Sequence, residues 1–141
     1  MMEKKYDILK TEFLLCQGQM DKYDQLASTV KAWTVTLWAA SVGWFMQTKI
    51  KGILLLSISI AVVFWVLDSM NKNFREDYKE RRDKIAKVLA EFFNSGTVAN
   101  NIVAPHLPSH EHTNFVKKLF RPHIFPLYLV LILIAVLFLS L

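Results

Sequence analysis

The sequence predicts an all-α membrane protein with three transmembrane helices, the first two forming a long antiparallel hairpin that extends as a cytoplasmic helical stalk. Three observations predict it. Charged residues make up 21% of the 141 residues, yet residues 32–48, 52–67 and 124–141 contain no Asp, Glu, Lys or Arg. Apolar or small residues recur through residues 6–30 at alternating steps of three and four. No proline interrupts residues 1–104. A chain that is 53% hydrophobic but segregates its charge in this way is not one water-soluble core, a disulfide scaffold or a disordered tail.

The first segment, residues 1–31, carries Tyr6, Leu9, Phe13, Cys16, Met20, Tyr23, Ala27 and Val30 in a heptad register. The register continues through Thr34, Leu37, Ser41 and Trp44. It predicts one helix of about 65 Å, half cytoplasmic and half membrane-embedded, at about 1.5 Å per residue. Residues 32–48 form the first span, with Trp33, Trp38 and Trp44 favouring a location near headgroups. Residues 49–51 are an external turn and residues 52–70 the second span. Asp68 lies late enough in that span to reach the interface by snorkelling.

Residues 71–94 continue the second helix into the cytoplasm, with Met70, Phe74, Tyr78, Ile85, Leu89 and Phe92 keeping one face apolar. Glu80–Lys84 and Asp83–Lys87 are favourable pairs four apart on a solvated face. Asn94-Ser95-Gly96 supplies the stop. A turn centred near Ile50 places residue i opposite residue 100−i, so Val30 faces Met70 and Tyr6 faces Asn94 and its neighbour Phe93. Residues 95–114 read as a loop. Residues 115–122 form a basic juxtamembrane turn containing FVKKLFR, and residues 123–141 the third span, with Pro122 and Pro126 near its start.

Lys and Arg number five in residues 1–31, two in residues 49–51 and ten in residues 71–122. The bias predicts a multi-pass inner-membrane protein with a cytoplasmic N-terminus and an external C-terminus. The charged N-terminal residues carry no cleavable-signal pattern. Part of the net charge of +5 is explained by juxtamembrane anchoring on the anionic lipid bilayer.

The chemistry-bearing residues are few. His106, His110, His112 and His123, with Glu111, invite a zinc reading, but Pro108 spoils the helical spacing and no cysteine joins them, so no metal is expected. The lone Cys16 reads as a core residue. No phosphate-cradling glycine loop, HExxH or GxSxG occurs, so neither an enzyme nor a cofactor is expected. Lys72, Arg75, Lys79 and Arg82 follow spacing 3, 4, 3 on one helix face and could bind an anionic regulator, the plain alternative being a solvated or lipid-facing edge. Repetition of that ridge around a homo-oligomer would make a positive ring. Thr34, Ser41 and Thr48, seven apart, are the candidate pore-lining face, although such hydroxyls equally satisfy themselves on backbone carbonyls. Ala39–Gly43 and Ser57–Ala61 give small steps for close helix packing. Buried charges of the kind a proton-coupled transporter uses are expected to be absent.

The heptad helix, the tight hairpin (TVKAWTVTLWAASVGWFMQTKIKG, then ILLLSISIAVVFWVLDSM) and the basic continuation resemble the small membrane effectors of bacterial anti-phage defence. These include the SLATT-type two-span proteins and the nucleotide-regulated channel of the Hailong system. The likeness is architectural and covers residues 1–95; the third span is additional to the two-span pattern. The resemblance implies a homo-oligomeric membrane channel or membrane-disrupting effector controlled by a nucleotide or oligonucleotide. The alternative is a non-conducting anchor or scaffold whose stalk docks a cytosolic partner protein.

Overall fold

The computed structural model describes residues 2–96, 119–122 and 124–140. It is all-helical, with α1 (Met2–Thr48), α2 (Lys51–Ser95) and α3 (Phe125–Ser140), and α1 and α2 form an antiparallel hairpin. The turn between them is only Lys49 and Ile50. Lys49 adopts φ 58°, its N–H donates to the Phe45 carbonyl at 2.7 Å, and the Ile53 N–H donates to the Ile50 carbonyl at 3.0 Å. A side-chain-bearing residue in the left-handed region costs about 1–2 kcal/mol. The Lys49 ammonium, 5.8 Å from the Phe45 ring centroid, offsets part of that.

The chain divides into two compact units, one of residues 1–24 and 73–111, the other of residues 25–72 and 112–141; both α1 and α2 contribute to each. In the first unit Leu9 is buried with Ile85 and Val88, flanked by Phe13 and Leu89. Tyr6 meets Phe92 at 5.1 Å between centroids, and Tyr23 meets Phe74 at 5.8 Å and Tyr78 at 5.9 Å. These contacts use the residues that the heptad and the apolar face of α2 nominate.

In the second unit Phe45, Ile53 and Leu54 are buried beside the turn, with Val42, Phe138 and Leu139 against them. Lys51 caps the far end of α3, donating to the Leu139 carbonyl at 3.3 Å. At the other end the Trp65 indole donates to the Leu119 carbonyl at 3.0 Å, and its ring lies against Phe120, Phe125 and Tyr128. Tyr128, Leu131 and Ala135 form the buried face of α3, at steps of three and four. Pro126 falls in the first turn of α3, where its missing N–H is harmless.

Four expectations are corrected. The buried stripe keeps the heptad positions Ala27, Thr34 and Ser41 but takes Phe45 in place of Trp44, leaving Leu37 36% and Trp44 56% exposed. A straight helix at 3.6 residues per turn drifts about 20° per heptad from a strict 3.5 repeat, so the stripe steps aside. The hairpin register is displaced slightly from 100−i: Tyr6 meets Phe92, Phe93 is 89% exposed, and Met70 turns outward while Asp68 and Ser69 turn in. The carboxylate of Asp83 accepts from Arg82 rather than pairing along the helix with Lys87, whereas Glu80–Lys84 forms at 2.7 Å. Asp68 does not snorkel: it is 0% exposed.

Among the described residues, α2 alone is long and apolar enough by composition to cross a membrane, and α3 is a shorter apolar helix of 16 residues. Residues 97–114 of the loop expected at 95–114 and residues 115–118 of the juxtamembrane turn expected at 115–122 lie outside the described residues. Because Ile85 is fully buried in the first unit's core, Ile85→Ala should destabilise that unit by about 2–5 kcal/mol. Faster amide hydrogen exchange at residues 5–16 and 80–92, with residues 40–60 unchanged, is the measurement.

Candidate functional site

Two polar clusters stand out, one in each unit. In the first unit, α2 presents arginines to carboxylates and an amide of α1. Arg81 grips Glu12 with both terminal contacts, Nε to Oε1 at 2.8 Å and Nη2 to Oε2 at 3.1 Å, and the two side chains are only about a tenth exposed. Arg75 Nε donates to Asp24 Oδ2 at 2.7 Å. Arg82 Nη1 donates to Gln17 Oε1 at 3.0 Å while Nε and Nη2 hold Asp83 Oδ1. Gln17 in turn donates to Asp21 Oδ1 at 3.0 Å. Planar guanidinium forks suit such bidentate bonds better than lysine does.

The ridge of Lys72, Arg75, Lys79 and Arg82 therefore divides. Arg75 and Arg82 are engaged in ion pairs, Lys79 is exposed, and Lys72 belongs to the second unit, where its charge acts on Asp68. An anion reaching Arg75 or Arg82 must compete with Asp24, Asp83 and Gln17. Arg81, off the ridge, is the most enclosed of the arginines and escaped the spacing pattern.

Cys16 sits buried within this cluster. Burial, then the Glu12 carboxylate, push its thiol above the ordinary value, while Arg81 and Arg82 pull the other way. Burial and then Tyr23 raise the Tyr78 phenol similarly. The exposed Glu80 is lowered by its bond from Lys84.

In the second unit, Thr34 is fully buried and Ser41 nearly so, and each donates to its own backbone four residues back, at 2.7 and 2.8 Å. Thr48 is exposed and does the same to Trp44 at 3.0 Å. Thr34 and Ser41 thus face the interior of their own chain. Among the polar and small residues that α1 leaves outward, Thr36, Ala40, Gly43 and Gln47 recur at steps of four, three and four.

The buried acid is the feature that sequence reasoning missed. Asp68 Oδ2 lies 3.7 Å from Lys31 Nζ and accepts from the Tyr128 hydroxyl at 3.4 Å; its Oδ1 has no hydrogen-bond partner. Next to it, Ser69 is buried and its hydroxyl holds no partner, unlike the buried Thr34, Ser41 and Ser57, which all bond back to the helix. The signal was present: a hairpin near 100−i brings Lys31 opposite the Asp68–Ser69 pair.

No group of three or more His, Cys, Asp or Glu side chains that could hold a metal occurs among the described residues, and His106, His110, Glu111, His112 and His123 lie outside them. No protein-family model, curated protein or solved structure matches this chain.

Two outcomes follow for the first cluster. Glu12→Ala removes the nearly buried fork between Glu12 and Arg81 and should destabilise the first unit by about 3 kcal/mol, read as faster alkylation of Cys16 by a maleimide. Because the folded state holds the Cys16 thiol above its ordinary value, its contribution is complete below the unfolded value of about 8.5 and is lost as pH rises through the folded one. The melting temperature should therefore fall above about pH 8.5, and Cys16→Ala should flatten that decline.

Proposed function

We propose that the chain is a three-span inner-membrane protein that assembles as a homo-oligomeric channel or membrane-disrupting effector, controlled through its cytoplasmic stalk. The observation that carries the reading is the surface of the second unit. Trp33, Val35, Leu37, Trp44, Met46, Leu55, Leu56, Val62, Val63, Leu67, Val130, Leu133, Val136 and Leu137 all stand exposed, far more apolar surface than a water-soluble monomer leaves open. Lipid covers such a surface without further design.

Within that greasy exterior the outward face of α1 is different in kind. Thr36, Ala40, Gly43 and Gln47 make a narrow small-and-polar stripe, and a Cβ added at Gly43 would meet nothing within 4 Å. Small residues let helices of neighbouring subunits approach closely, and hydroxyl and amide groups tolerate water. This stripe, with Thr48, suits a subunit seam or a water path better than Thr34 and Ser41 do. On the same reading Lys79, with Arg75 and Arg82 once released from their carboxylates, receives a nucleotide or oligonucleotide phosphate on the first unit.

A non-conducting scaffold is the second reading, and one observation favours it. Ile8, Leu14 and Leu15 are exposed on α1 in the first unit, where lipid does not reach on the proposed topology. A cytosolic partner would cover them.

The purified protein in detergent, weighed with detergent mass subtracted, separates the two. Three helices per chain enclose no water-filled path, so a uniform closed oligomer supports the channel and a strict monomer leaves the scaffold. Lys79→Gln combined with Arg82→Gln should weaken binding of a nucleoside triphosphate by about tenfold, with a salt dependence shallower than the parent's, and leave the oligomer mass unchanged.

A further inference from the structure

The carboxylate of Asp68 is fully buried yet poorly compensated. Its nearest cation, Lys31 Nζ, stands at 3.7 Å, the Tyr128 hydroxyl reaches it at 3.4 Å, and Oδ1 is empty. A buried ion normally requires close charge pairing and filled lone pairs, because each unmet demand leaves desolvation uncompensated. An ionisable side chain at this depth, so loosely held, is built to change charge.

We propose that Asp68 is a proton-binding site, with Lys31 as its tethered counter-ion and Tyr128 as the hydroxyl that passes its state to α3. The charged and titratable groups facing it are Lys31 from α1, Lys72 from its own helix and Tyr128 from α3. With Asp68 ionised, Oδ2 faces the Lys31 ammonium and accepts a hydrogen bond from the Tyr128 hydroxyl. When a proton arrives from water, the carboxyl becomes neutral and donates to the Tyr128 oxygen. The Tyr128 O–H then turns to Thr34, whose Oγ1 lies within reach and keeps a free lone pair, since its own proton is committed to the Val30 carbonyl. The Lys31 side chain is 34% exposed, so its ammonium regains water as the pair dissolves. Tyr128 is satisfied in both arrangements, and only the ionised one ties α1 to α2 through charge. The inference requires neither an oligomer nor a pore.

The test is infrared difference spectroscopy of the full-length protein in lipid nanodiscs, titrated between about pH 5 and pH 9. Expected is a protonated-carboxyl stretching band that grows as pH falls and is missing in Asp68→Asn. In Lys31→Gln the same band should persist to a pH about one unit higher or more, because the counter-charge that favours the ionised form is gone. Tyr128→Phe should also displace the midpoint, by less. A merely structural role for these residues would lower the melting temperature and leave the titration where it is. The proposal is overturned if no titrating band is lost in Asp68→Asn. It is equally overturned if wild type and Lys31→Gln titrate together, and that comparison decides alone should Asp68→Asn not fold. A metal cation held by Asp68 in place of the proton would give no carboxyl band, and so also overturns it.

Discussion

The two-residue turn at Lys49 and Ile50 is the constraint on which the contacts of the second unit rest. A left-handed residue between two helices leaves almost no freedom in how they return past each other, and so it sets which side chains can meet. Tyr6 with Phe92, Asp24 with Arg75 and Lys31 with Asp68 are all pairings at nearly one register. A helix slipped by one residue turns its side chains through about 100°, so each of these pairs would be lost together. The strain stored at Lys49 is small beside what that register secures.

Along this frame, polar bonds and apolar packing divide the work. Burial of Leu9, Ile85 and Val88 is non-directional and holds the helices together without choosing a register. The fork of Arg81 on Glu12 does choose, because two parallel bonds are satisfied in one geometry only. In the second unit the same role falls to longer and looser contacts, and the Trp65 indole on the Leu119 carbonyl directs where α3 begins.

Much of this was legible in the sequence, and the failures have physical causes. The extents of α1 and α2, the tight turn and the buried Leu9, Cys16, Met20 and Ala27 follow from periodicity and from the stop at Gly96. The strict heptad fails at Leu37 and Trp44 because nothing forces a straight helix to keep a 3.5 repeat. The spacing of Lys72, Arg75, Lys79 and Arg82 identifies a face but not the acids waiting on α1, so two cations expected to be available are bound. The hydroxyls of Thr34 and Ser41 share a face, yet a seven-residue repeat is silent on whether that face looks inward or outward. Asp68 was misread because a charge near the end of an apolar run ordinarily escapes to water; Tyr128 closes that exit. The docking of α3 is not periodic with anything before it, so Tyr128 had no partner that sequence spacing could nominate.

The brevity of α3 has a consequence for the lipid around it. Its 16 described residues rise about 24 Å, against a typical hydrocarbon thickness of about 30 Å. As a membrane span it is mismatched. The Lys51 ammonium lies at the Leu139 carbonyl, Trp65 holds the approach to its first turn, and tilting would only reduce its reach across a bilayer. On the proposed three-span topology the bilayer would thin beside α3, while the longer apolar stretch of α2 imposes no such demand. On that same topology short-chain lipids would gather along α3, and the protein would partition toward the thinner regions of a heterogeneous membrane.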